Sequence, residues 1–194
     1  MVANLARAWS VRIVEPIARL LQRAGLTPNA VTVLGFTLTA AVAVVVATGQ
    51  FLPAGLLLIV TLGADALDGT LARLTGNVTR FGAFLDSTLD RWAEVTLYGA
   101  LVWYYLRLDQ DLPVLLAVAA LATSLLVSYT RARAEGAGLQ CKEGVFTRFE
   151  RLVVLIAGLI CNLVVPALWV IAVLAGLTAV QRIWIVWQAD QAAG

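Results

Sequence analysis

From residue 30 to residue 187 the chain passes through six apolar stretches of membrane-spanning length with short interruptions, and nothing else in the sequence restricts the fold as strongly. Hydrocarbon offers no water to backbone N–H and C=O groups, so a spanning segment must satisfy them internally, and runs of about 20 apolar residues do so as helices. The stretches fall at residues 30–48, 52–74, 82–106, 112–133, 146–163 and 166–187. Gly49-Gln50, the turn from Thr75 to Phe81, the acidic turn from Arg107 to Asp111, the loop from Ala134 to Val145, and Val164-Val165 connect them. With 61% hydrophobic and 13% charged residues and a mean hydropathy of +0.88, the chain lies far from the soluble balance of about half apolar and a quarter charged. The expected fold is an all-α integral membrane protein, a single domain over residues 1–194 with a six-helix transmembrane bundle at 30–187.

Ahead of the bundle, the segment from Trp9 to Leu21 sets Val11, Ile13, Val14, Ile17, Leu20 and Leu21 against Arg7, Arg12, Arg19 and Arg23. A helix divided in this way lies in the plane of the membrane interface, so residues 1–24 are expected to form an interfacial amphipathic helix. Glu15 and Pro16 interrupt the stretch before an apolar core of signal-peptide length is reached, and no cleaved signal is expected. Thr27 suits an N-cap for the first span, with Pro28 in its first turn. With six spans and both termini on one side, Arg107 is the one Lys or Arg on the other side, so the positive-inside rule assigns the richer side to the cytoplasm. Trp103, Tyr104 and Tyr105 then mark the far interface, and Trp184 and Trp187 the near one. The expected location is the cell (inner) membrane, multi-pass, with no nucleic-acid partner.

Set into this background is DALDGTLARLTGNVTRFGAFLDSTLD, residues 65–90. Carboxylates in membrane-grade sequence are costly and persist where they hold ions or do chemistry. Asp65 and Asp68 are three apart on the second span, with the small residues Gly69 and Ala72 continuing their face. Asp86 and Asp90 are four apart on the third, with Gly82 one turn earlier. A short cytoplasmic turn joins these helices antiparallel, so the four carboxylates converge near their cytoplasmic ends. Four such charges stay ionised together only with compensating cations. The chain has no His, and Cys141 and Cys161 fit no metal-ligand spacing. All-oxygen ligation selects a hard divalent ion, Mg²⁺ or Mn²⁺, and four carboxylates suffice for two ions. A two-metal site of this kind suits displacement at phosphorus, with Arg73 placed to hold a diphosphate. Pairing with Arg73, Arg80 or Arg91 accounts for any single aspartate but not for four in register with glycines. A carboxylate-lined ion transporter is the reading from another class. Transporters place such residues at the bilayer midplane on paired repeats, whereas this cluster lies nearer one face and the chain shows no repeat.

The same segment resembles the signature of the CDP-alcohol phosphatidyltransferase family, D-x2-D-G-x2-A-R-x8-G-x3-D-x3-D, at every fixed position. The resemblance implies transfer of a phosphatidyl group from CDP-diacylglycerol to an alcohol with release of CMP, and a homodimeric assembly. It implies that Asp65, Asp68, Asp86 and Asp90 hold the metals and that Asp90 also deprotonates the attacking hydroxyl. It implies nucleotide diphosphate contacts at Gly69 and Arg73, and further CDP-lipid contacts at Asn29, Ala30, Val31, Thr32 and Thr79. SYTRARAEG, FERLVV and VQRIWIVW resemble the branch whose acceptor is inositol phosphate, where positions matching Arg131, Arg151 and Arg182 bind the acceptor's phosphate. These arginines come from three helices near their cytoplasmic ends, and three guanidiniums suit a doubly charged phosphate. The chain carries Arg131 where that branch carries Lys, and glycerol phosphate stays open as the alternative acceptor.

Overall fold

The computed structural model describes residues 14–139, 141 and 144–193, and for residues 64–66, 192 and 193 the backbone alone. Among the described residues every regular element is a helix: α1 (Glu15–Arg23), α2 (Pro28–Ala47), α3 (Phe51–Thr75), α4 (Arg80–Leu106), α5 (Asp111–Gly136), α6 (Arg148–Ile160) and α7 (Val164–Ala193). Four of them are long and apolar enough to cross a membrane, namely α2, α3, α5 and the Val164–Gln191 part of α7. The N-terminal part of α4 carries Arg80, Asp86, Asp90, Arg91 and Glu94. The 13 residues of α6 rise about 20 Å at 1.5 Å each, less than a hydrocarbon core of about 30 Å.

The helix expected at residues 146–163 is therefore shorter than its apolar stretch, and the break expected at Val164-Val165 falls instead at Cys161–Leu163. Asn162 takes a left-handed φ of 56°, which Asn tolerates better than most residues. The Asn162 N–H donates to Leu159 O at 3.3 Å and the Leu163 N–H to Gly158 O at 2.7 Å, the paired bonds that close a helix C-terminus. Both valines are left free to open α7.

The described residues divide into two compact units. The first comprises the chain up to Val44 together with Leu56–Leu97. There α1 seats Ala18 against Val31 of α2 and Leu71 of α3, flanked by Leu21, Leu67 and Leu74. Of the apolar side foreseen for this helix, Leu21 packs inward while Ile17 and Leu20 stay 42% and 65% exposed. Trp9, Val11, Ile13, Arg7 and Arg12 lie outside the described residues. Two threonines start the helices of this unit: the Ala30 N–H donates to Thr27 Oγ1 at 3.2 Å, and the Gly82 N–H to Thr79 Oγ1 at 2.9 Å. Each satisfies a donor that the first helical turn leaves without a partner.

The second unit comprises Val45–Gly55 and the chain from Tyr98 onward, and in it α7 packs along α5 and α6. Small residues are buried on these helices: Ala117, Ala120 and Ser124 on α5, Ala167, Ala175 and Ala179 on α7. Small side chains permit the close backbone approach that holds apolar helices together where no hydrophobic drive separates them from lipid. The tightest approach is at Gly158, where an added β-carbon would lie 2.4 Å from Ala167 Cβ and 3.3 Å from Leu163 O. Neither neighbour is the mobile end of a long side chain. Gly158→Ala is expected to destabilise the fold by about 1–3 kcal/mol through overpacking, against less than about 1 kcal/mol gained in helix propensity. Denaturant unfolding in detergent micelles checks this, and a midpoint at or above the parent's would refute the contact.

Candidate active site

In the first unit the N-terminus of α2, the C-terminal half of α3 and the N-terminus of α4 enclose a cavity of about 380 Å³. Pro28, Asn29 and Thr32 line it from α2, Asp68, Gly69, Ala72 and Arg73 from α3, and Gly82, Ala83 and Asp86 from α4. Asn77, Val78 and Thr79 of the intervening turn close the remaining side. Two helices of the acidic segment thus turn a carboxylate each into one space.

Asp68 is buried at 8% exposure and held at both oxygens. Thr32 Oγ1 donates to its Oδ2 at 2.9 Å, and the Gly69 N–H donates to its Oδ1 at 2.5 Å. These two bonds fix the carboxylate's direction. Asp86 lines the cavity from α4, half-buried. Asp90 lies one turn further along α4 and is not among the lining residues. Arg91 Nη2 stands 3.7 Å from Asp90 Oδ2, and Arg91 Nε stands 3.1 Å from Glu94 Oε2. Asp65 lies on α3 three residues before Asp68, with its side chain outside the described ones. Among the described residues no three acidic or cysteine side chains gather into a complete metal set. The donors present around the cavity are carboxylate and hydroxyl oxygens, which fit Mg²⁺ or Mn²⁺ and fit poorly the softer ions that prefer nitrogen or sulfur.

Two glycines border the cavity for opposite reasons. A β-carbon on Gly82 would lie 3.0 Å from Thr79 Oγ1 and 3.1 Å from Asn29 Oδ1, so glycine there lets α4 approach α2. A β-carbon on Gly69 would meet no protein atom closer than Arg73 Nη1 at 3.5 Å, an ordinary contact. Protein packing therefore does not require glycine at 69. Arg73 itself is exposed and donates from Nη2 to Thr70 Oγ1 at 3.0 Å.

Of the residues expected to contact a CDP-lipid, Asn29, Thr32, Gly69, Arg73 and Thr79 line the cavity. Ala30 is exposed away from it, and Val31 is buried at 4% in the apolar cluster with Ala18 and Leu71. Helical spacing explains the division, since positions 29 and 32 share a face that 30 and 31 do not. The sequence reading missed Asn77 and Val78, whose only signal was their place in the turn between the two aspartate pairs.

The second unit holds the arginines. Arg151 of α6 is 2% exposed and Arg182 of α7 4%. Arg182 Nη1 donates to Val127 O of α5 at 2.5 Å. Arg131 and Arg151 both lie within electrostatic reach of Arg182, as do Cys141 and Glu135. Arg131 is half-exposed and pairs with Glu135 at 2.8 Å, one turn along α5. α6 is started by Thr147, whose N–H donates to Glu150 Oε2 at 2.8 Å, and this cap sets Arg151 on the first turn. Gathering guanidiniums out of water is costly without anions to answer them.

The sequence profile of the CDP-alcohol phosphatidyltransferases matches residues 25–187. The chain belongs to the CDP-alcohol phosphatidyltransferase family, metal-dependent enzymes of phospholipid synthesis. Among named relatives it is 38% identical over 194 residues to the phosphatidylinositol phosphate synthase of Mycobacterium marinum, covering 94% of this chain and 83% of that protein. It superposes on the crystal structure of the Mycobacterium tuberculosis phosphatidylinositol phosphate synthase with CDP-DAG bound, with a TM-score of 0.84 and 36% identity over 91% of this chain and 94% of that one. The same enzyme in complex with manganese and citrate matches with a TM-score of 0.85 and 36% identity, over 90% of this chain and 89% of that one.

Proposed function

We propose that the protein transfers the phosphatidyl group of CDP-diacylglycerol to inositol phosphate, giving phosphatidylinositol phosphate and CMP. The observation that carries this reading is the single cavity into which Asp68 and Asp86 project beside Asn29, Thr32, Gly69, Arg73 and Thr79. Asp65, Asp68, Asp86 and Asp90 would hold two divalent ions, Mg²⁺ or in its place Mn²⁺. Bound there, such ions screen diphosphate charge and stabilise the departing oxygen.

The remaining chemistry falls to the chain's own side chains. Arg73 holds the diphosphate through its guanidinium fork, and Gly69 lets the nucleotide lie against helix backbone. Asn29 and Thr79 contact the nucleotide from two sides, while Thr32 keeps Asp68 aimed at the cavity. Arg131, Arg151 and Arg182 bind the acceptor's phosphate. The acceptor hydroxyl gives its proton to an Asp90 oxygen as it bonds to the lipid-linked phosphorus, and the bond from that phosphorus to the CMP oxygen breaks. CMP leaves carrying the electron pair of that bond.

In the membrane, we take α2 to α7 as six spans with both termini and the cavity on the cytoplasmic side. The apolar run 152–161 around α6 and the uncharged run 95–106 of α4 support this count. Exposed Ile17 and Leu20 beside Arg19 and Arg23 support α1 lying in the interface. The family resemblance supports a homodimer.

The test supplies purified protein and Mg²⁺ with labelled CDP-diacylglycerol and, in parallel, inositol phosphate, glycerol phosphate, inositol and serine. CMP release with a phosphoinositide product is expected for inositol phosphate, and EDTA is expected to stop it. Product from glycerol phosphate alone would assign the acceptor to the second reading, which the same arginines favour. No CMP release with any acceptor would overturn transfer itself.

A further inference from the structure

The turn between α3 and α4 brackets two side chains that the protein itself does not use. α3 ends at Thr75, and Gly76 takes a left-handed φ of 67°, which lets the chain leave the helix without strain. Thr79 starts α4: its Oγ1 accepts the Gly82 N–H, and its carbonyl accepts the Ala83 N–H at 3.2 Å. Asn77 and Val78 lie between these two helix ends. Neither is needed for packing. Val78 is 72% exposed, Asn77 is exposed as well, and among the described residues the Asn77 amide makes no hydrogen bond. Both nonetheless line the cavity.

The charges around the cavity are unevenly placed. Asp68 and Arg73 come from α3 and Asp86 from α4, while the turn supplies an amide, an isopropyl group and a hydroxyl, none of them charged. A nucleotide is divided in the same way, since its phosphates carry the charge and its base is a neutral ring with a hydrogen-bonding edge. We infer that Asn77 and Val78 seat the nucleobase, Asn77 through its amide on the edge of the ring and Val78 through its methyl groups on the face. This rests on the assignment of the cavity to a nucleotide-linked lipid. A carboxamide presents a donor and an acceptor side by side, and cytosine presents the matching pair in its amino group and ring nitrogen. A base laid over Val78 also takes from water the apolar surface that the turn leaves open.

The experiment is titration calorimetry of the full chain in micelles with Mg²⁺ and two probes. One is CMP, and the other is ribose 5-phosphate, which is CMP without its base, read by its displacement of CMP. Asn77→Ala is expected to weaken CMP about 10-fold, the loss of two hydrogen bonds between uncharged groups, and to leave ribose 5-phosphate within about twofold. Val78→Ala is expected to weaken CMP about threefold through lost apolar contact, again sparing ribose 5-phosphate. Arg73→Ala, which touches the phosphate end, should weaken both probes. Thermal unfolding of the Asn77→Ala and Val78→Ala proteins should match the parent's, because neither side chain is packed. Unchanged CMP affinity in either turn variant, or an equal loss for both probes, would overturn the inference. A parent protein that binds neither probe would instead remove the nucleotide assignment beneath it.

Discussion

Asp90→Asn is expected to lower kcat for phosphatidyl transfer by about 10³-fold or more while leaving CDP-diacylglycerol affinity within a few-fold of the parent. Asn keeps the size of the side chain and one of its oxygens, but it offers no basic oxygen for the acceptor's proton. Positioned bases contribute about 10²- to 10⁴-fold, and Asp90 also stands among the proposed ion ligands, which places the expected loss toward the upper end. Asp68 and Asp86 remain to face the cavity, and neither Arg73 nor Gly69 is touched, so lipid binding should persist. The charge lost at 90 is one that Arg91 meets at only 3.7 Å, while Arg91 keeps its closer partner Glu94 at 3.1 Å, so the helix should hold its shape. CMP release measures the first quantity and titration calorimetry with CDP-diacylglycerol the second. Near-normal turnover would dismiss Asp90 as the base, and joint loss of turnover and binding would make it a ligand-holding residue alone.

Gly69→Ala is expected to weaken CDP-diacylglycerol binding by about 100-fold, about 2.7 kcal/mol, while the protein unfolds at the same temperature or a higher one. Glycine inside a helix costs roughly 0.5–1 kcal/mol relative to alanine, and the added β-carbon finds no protein atom closer than 3.5 Å. Alanine should therefore suit the empty protein. It should not suit the complex, because the carbon enters the cavity where the diphosphate is proposed to lie against the backbone of α3. Improved stability together with lost binding is the signature of a residue kept for its ligand. The two quantities are read by thermal unfolding in micelles and by calorimetry. A variant that binds as the parent does would place the diphosphate elsewhere, and one that unfolds early would make Gly69 a packing residue.

Features written in local pattern were legible in the sequence. Thr27 before Pro28 announced the start of α2, and the apolar runs placed most helix ends within a few residues. The aspartate spacing called for all four carboxylates to converge; Asp68 and Asp86 line one cavity, and Asp90 is not among the residues that line it. Features set by packing or by turn geometry were not. Val31 sits beside Asn29 and Thr32 in the chain, yet the turn of the helix sends it to Ala18 and Leu71. α6 stops where Asn162 adopts a left-handed backbone, although Val164-Val165 looked like the break and is in fact helical.

Thr79 shows how narrowly some positions are constrained. Its one hydroxyl oxygen opens α4, the helix that carries Asp86 and Asp90, and the same residue borders the cavity that Asp68 and Asp86 line. Helix start and cavity wall thus meet in a single residue. Serine alone reproduces that oxygen without adding charge or bulk, so drift at this position has one narrow corridor, and any other change disturbs both tasks together.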